Sequence, residues 1–142
     1  MIAKRRILFV LILAGMIASC SKTKNNENPQ LISKWKLIEQ LADPGDGSGV
    51  YTPVDSDKTI EFFANGDVIS NGSLCTMNFE TGSVGRGKYD TTDYSILPEN
   101  CNSEMYHISY SISNSELTLY YPCIEGCAQK YAFLEGTVEP TN

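Results

Sequence analysis

HISYSISNSELTLYY, residues 107–121, decides the fold class of this chain. Ile108, Tyr110 and Ile112 interleave with His107, Ser109, Ser111 and Ser113; past Asn114-Ser115, Leu117, Leu119 and Tyr121 interleave with Glu116, Thr118 and Tyr120. A period of two puts one set on one face, so the stretch reads as two half-buried strands joined by a short polar turn. A slip of one residue would turn the whole apolar set to solvent, which specifies the register.

The same period extends in both directions. Trp35 and Leu37 alternate with Lys34 and Lys36, and Ile60 and Phe62 with Thr59 and Glu61. Asn65-Gly66, between Phe62-Phe63 and Val68-Ile69, is a hairpin signal, because both residue types tolerate positive φ. Asn71-Gly72 offers a second turn. Gly87-Lys88-Tyr89 and Tyr94-Ser95-Ile96 flank a polar stretch at 90–93, and a last strand over 129–135 carries Tyr131 and Phe133 on one face. No stretch of 31–138 sustains a helical period, although 31–41 is compatible with an opening helical turn. Seven or eight short strands with one buried face must stack or close. Closure is the simpler solution, so the expected fold is all-β, a small antiparallel up-and-down β-barrel of about 7–8 strands.

The amino terminus fixes the expected location. Lys4, Arg5 and Arg6 precede an apolar run over 7–17, and Ile17-Ala18-Ser19-Cys20 follows. A charged start, a short apolar run and small residues before a cysteine are the marks of a bacterial lipoprotein signal peptide over 1–19, with Cys20 the lipidated first residue of the mature chain. The run is shorter than the roughly 20 residues a membrane span requires. Residues 20–30, with SKTKNNENPQ after the cysteine, read as the lipidated Cys and a flexible tether, and 31–138 as a single barrel domain. Ser21 after Cys20 carries no Asp retention signal, so the expected address is the outer membrane, on its periplasmic or surface face. The expected membrane partner is reached through acyl chains, each buried CH₂ contributing about 0.8 kcal/mol.

Charge excludes one class of partner. Of 11 basic residues three fall in the leader, leaving 8 against 17 acidic ones in the mature chain. Such a body is a poor ligand for nucleic acid. Five cysteines become four once Cys20 is assigned to lipid: Cys75, Cys101, Cys123 and Cys127. In an oxidising envelope these suggest two disulfides, with three pairings open; Cys75 with Cys101 and Cys123 with Cys127 is the favoured one, and a Cys₄ zinc site is the competing reading.

On the strands bearing Trp35, Phe62-Phe63 before Asn65-Gly66, Tyr89, Leu117/Leu119 and Tyr131/Phe133, the chain resembles the lipocalin-like domain of small Gram-negative lipoproteins, a calycin-like β-barrel, over about 31–138. Lipocalins proper carry Gly-x-Trp on the first strand and a late arginine over that Trp; here the triplet is Ser33-Lys34-Trp35 and no arginine follows Arg86.

Two functions from different classes follow. In the first, Trp35, Phe62, Tyr89, Tyr110, Tyr121 and Phe133 line a cavity for a small apolar molecule. In the second, these aromatics fill the barrel, and its rim contacts an envelope protein or a glycan. Catalysis is not expected: His107 is the single imidazole, read as an outward strand residue, and no nucleophile has an evident base. The loop DPGDGSG at 43–49, followed by Asp55 and Asp57, has oxygen ligands of the kind calcium takes, but not in EF-hand register, and reads as a solvated loop. GSVGRG at 82–87 lacks the helix and Lys-Ser/Thr pair of a phosphate loop and reads as a turn. No cofactor or metal is expected.

Overall fold

The computed structural model of the chain describes residues 31–102 and 106–136. The expected signal peptide, Cys20, the expected tether and the last residues assigned to the domain lie outside the described residues.

Among the described residues nine strands form one antiparallel sheet: β1 (Ser33–Ala42), β2 (Thr52–Pro53), β3 (Thr59–Phe62), β4 (Asp67–Ser70), β5 (Gly85–Asp90), β6 (Ser95–Pro98), β7 (Ile108–Ser113), β8 (Glu116–Tyr120) and β9 (Cys127–Gly136). Neighbours pair in the order β2-β1-β3-β4-β5-β6-β7-β8-β9, and β9 returns to pair with β1. β2 and β3 lie end to end along the same edge of β1, with Glu39 opposite Pro53 and Lys36 opposite Thr59. They act as one interrupted stave, so the barrel has eight. Among the described residues closure leaves no long strand edge open to another chain.

Residues 107–121 fold as their period requires. Tyr110 pairs with Leu119 and Ile112 with Leu117 across β7 and β8. Asn114 and Ser115 both take positive φ (50° and 66°), the pattern of a two-residue turn whose twist suits the flanking strands. At Asn65-Gly66 only Gly66 is left-handed (φ 84°), and its N–H bonds Phe63 O at 3.1 Å. The opening of the domain is strand from Ser33, not helix, because Trp35 and Leu37 must share the inward face.

That inward face is the core. Trp35, Ile60, Phe62, Val68, Ile96, Ile108, Leu117, Leu119 and Tyr131 are fully buried, each contributing on the order of 1.5–3 kcal/mol relative to exposure. The Trp35 indole N–H donates to Leu31 O at 3.4 Å. Phe62 stands 5.2 Å from the Tyr89 ring and 5.9 Å from Tyr110. Outside, Lys130 sits between Glu39 (3.5 Å) and Glu116 (3.4 Å) with its ammonium 4.2 Å from the centre of the Tyr51 ring, and Lys36 pairs with Asp57 at 3.0 Å.

A candidate functional site at the loop-bearing end

The two ends of the barrel are built differently. One end takes the chain in at Ser33, releases it at Gly136 and carries the short connections 63–66, 91–94 and 114–115. The other carries the longer connections 43–51, 71–84, 99–107 and 121–126, and both disulfides, Cys75–Cys101 and Cys123–Cys127. The cysteines are therefore joined in the pairing the sequence favours, and the zinc reading is corrected.

Residues 71–84 close the loop end as a cap. Leu74 is buried in the barrel core, Ser56 Oγ donates to Phe79 O at 2.5 Å, and Gly82 N–H donates to Asn71 O at 3.0 Å. Beneath the cap lies the least expected feature of the molecule, a fully buried lysine. Lys58 Nζ donates to Asn78 O at 2.8 Å and to Gln129 Oε1 at 3.4 Å. Burial among amide oxygens pushes its pKa down from 10.5 to about 8.

Gln129, also fully buried, organises the cluster. Its Oε1 accepts from Tyr131 OH (2.8 Å), Tyr121 OH (3.0 Å) and Lys58, while its Nε2 donates to Asn78 O and Gln40 Oε1, both at 3.0 Å. Three donors on one side and two acceptors on the other fix the amide orientation. Burial raises the pKa of both phenols above the ordinary 10, so they remain hydrogen-bond donors at neutral pH. Among the described residues Asn78 Oδ1 is the buried side-chain atom left without a partner.

Tertiary structure thus spends these polar groups on one another. Lys58 and Gln129 give the cap two donors to a single backbone oxygen, an arrangement that positions the cap rather than carrying out chemistry. The sequence contained a signal for it: Lys58 shares the inward phase of Ile60 and Phe62, and Gln129 that of Tyr131 and Phe133.

The six candidate cavity residues do not converge. Trp35, Phe62 and Tyr110 are buried in the core, with Tyr110 OH donating to Asp90 O at 3.0 Å and half-buried Tyr89 donating to Phe63 O at 2.8 Å near the terminus-bearing end. Burial pushes the Tyr110 pKa up to about 12. Phe133, 42% exposed, packs edge-on against Trp35 at 5.7 Å, and Tyr121 stands at the opposite end in the Gln129 cluster. His107 is exposed. In the 43–49 loop the Asp43 carboxylate accepts N–H bonds from Gly45 (2.7 Å), Gly47 (3.2 Å) and Gly49 (2.9 Å), which lower its pKa and hold the loop's own turn.

Two open depressions flank the Cys75–Cys101 bridge. One, of about 360 Å³, is lined in part by Ser83, Arg86, Glu99 and Asn100; the other, of about 260 Å³, by Thr76, Asn100, Asn102 and Tyr106. No family model matches the chain, and no curated protein matches it.

Proposed function

We propose that this chain is a lipid-anchored envelope protein whose barrel is filled and serves as an interaction module, presenting its loop-bearing end to a partner. The observation that carries this reading is the barrel interior. Inward side chains from all around the sheet bury one another, and the polar ones, Lys58, Gln129, Tyr121 and Tyr131, are bonded to each other and to the cap. A barrel of eight staves is at the size where side chains alone fill the interior.

Anchor and orientation fit together. A tether over residues 20–30 would span at most about 40 Å and would join the barrel at its terminus-bearing end, so lipid on Cys20 would leave that end the nearer one to the outer membrane. The four longer connections then face away from it, where loops on a rigid scaffold serve recognition. Ile124, fully exposed, and Val50 and Phe79, exposed on other connections, are apolar contacts of the kind an interface uses.

Two measurements test the reading. Cys20→Ala should abolish labelling by a clickable palmitate analogue and release the chain from membranes; retained label would overturn the anchor. A photo-crosslinking residue at Ile124 or Phe79 should give a discrete envelope adduct that one at Ser115, on the opposite end, does not. Adducts from Ser115 alone would overturn the orientation.

A further inference from the structure

We propose that Cys123–Cys127 is an exchangeable disulfide, attacked at Cys123 by the thiolate of a partner protein's dithiol, whereas Cys75–Cys101 is structural. This goes beyond the interaction-module reading: it gives the loop-bearing end a covalent reaction, and it does not depend on the lipid anchor.

The two bridges stand at the same end of the barrel and constrain different things. Cys75–Cys101, of sequence separation 26, ties the cap to the connection after β6. Cys123–Cys127, of separation 4, lies wholly within the β8–β9 hairpin, where the backbone already makes the same closure. Tyr120 pairs with Ala128 at the foot of the ring, Tyr121 N–H donates to Cys127 O at 2.9 Å, and on the other edge of β9 Cys127 pairs with Ala42. Asp43 N–H donates to Gly126 O, also at 2.9 Å. A bridge over so short a loop removes little freedom from the unfolded chain, and these bonds hold the hairpin when it opens. The fold does not need it.

Exposure selects the sulfur that reacts. Cys123 and its neighbours Pro122, Ile124, Glu125 and Gly126 are exposed, whereas Cys127, Cys75 and Cys101 are half-buried. A thiolate arriving from solvent therefore meets Cys123 Sγ. The attacking sulfur bonds to Cys123, and the electron pair of the broken S–S bond leaves on Cys127, which takes a proton from water. The partner's second thiol, as thiolate, then displaces Cys123, which is protonated in turn. The partner's dithiol is oxidised to a disulfide, and Cys123 and Cys127 are reduced to two thiols. Strand pairing keeps the Cys127 backbone in place, with its Cα 6.2 Å from that of Cys123 in the closed ring, inside the range a bridge spans. Reoxidation thus restores the ring.

The surroundings favour a protein over a small acidic thiol. The Glu125 carboxylate lies where a Cβ on Gly45 would be, so the hairpin touches the 43–51 connection, which carries Asp43 and Asp46. Neither 43–51 nor 121–126 contains a Lys or Arg, and this end repels an anion such as glutathione. Ile124, fully exposed beside Cys123, offers an attacking protein an apolar contact instead.

The test is thiol mapping of the full chain in mild detergent. Reduced thioredoxin is the protein dithiol probe; reduced glutathione and dithiothreitol are the small ones. Free thiols are blocked with iodoacetamide at timed points and located by peptide mass spectrometry, while Trp35 fluorescence reports on the core. Thioredoxin should free Cys123 and Cys127 about tenfold faster than Cys75 and Cys101, with Trp35 emission unchanged, and faster than glutathione does at equal thiol concentration. Thioredoxin lacking its resolving cysteine should be trapped on Cys123. Ile124→Ser should slow thioredoxin about threefold and leave dithiothreitol unaffected. Equal release of both bridges, release only once urea has exposed Trp35, an adduct on Cys127, or glutathione as fast as thioredoxin would each overturn the proposal. If exchange proceeds as described and a photo-crosslinker at Ile124 captures nothing in the envelope, the inference stands and the interaction-module reading falls.

Discussion

Replacing Lys58 by Met should leave the protein as stable as before or more so, an outcome that an ion required for stability at this position would forbid. Lys58 is fully buried, and desolvation lowers its pKa from 10.5 to about 8. A shift of that size corresponds to about 3 kcal/mol of disfavoured charge at neutral pH. Met keeps the side-chain length and removes the charge without orphaning an acceptor. Asn78 O keeps the Gln129 Nε2 bond, and Gln129 Oε1 keeps Tyr121 and Tyr131. The lost charge-assisted bonds offset roughly 1.5–3 kcal/mol, so Lys58→Met should be between neutral and about 2 kcal/mol more stable at pH 7.

The pH dependence separates charge from packing. The folded pKa lies below the unfolded value of 10.5, so the unfolded chain holds more protons between them, and wild-type stability rises as pH climbs through 8 toward 10.5. Between pH 7 and pH 9, below most tyrosine ionisation, the wild type should gain about 1 kcal/mol relative to Lys58→Met. Urea unfolding followed by Trp35 fluorescence reads both quantities, since the single Trp is fully buried. A variant destabilised by more than about 3 kcal/mol, or a difference that does not change with pH, would refute the reasoning.

Three other outcomes follow from the same geometry. Gly72→Ala should destabilise by about 1–3 kcal/mol in urea unfolding, because its Cβ would fall 2.5 Å from Glu80 O and 3.0 Å from Lys58 Cε, wedging the cap off the cluster; an unchanged midpoint would contradict that fit. The double variant Cys75→Ala/Cys101→Ala, which opens a link of sequence separation 26, should lose about 3 kcal/mol on the chain-entropy model and make 71–84 the first site of limited proteolysis. Tyr131→Phe should cost about 1 kcal/mol, since Gln129 Oε1 still accepts from Tyr121; a loss several times larger would mean the cluster acts as one unit.

Much of the fold was legible because one face of each strand is buried. The alternation in 107–121 and in Trp35/Leu37 follows directly from that, and the Asn114-Ser115 turn was marked by its own residue types. The interruption between β2 and β3, and the length of β9 from Cys127, were not legible, since pairing along β1 rather than local pattern sets them. The cap left no periodic trace. Residues 71–84 read as turn and loop, and their placement depends on Lys58 and Gln129, distant in sequence. Those two stood in phase with core residues, a signal outweighed by the general rule that such side chains are exposed. The aromatic set was legible as interior, but inward phase alone does not say whether rings line a space or fill one. Tyr121 is buried in the Gln129 cluster at one end, and half-exposed Phe133 covers Trp35 toward the other.

The filled barrel is tested most directly by native mass spectrometry of the full chain purified in mild detergent, compared with its denatured mass. The account predicts the same mass, with two disulfides, in both spectra, since any covalently attached lipid is retained in each. A stoichiometric apolar molecule present in the native spectrum and released on denaturation would contradict it.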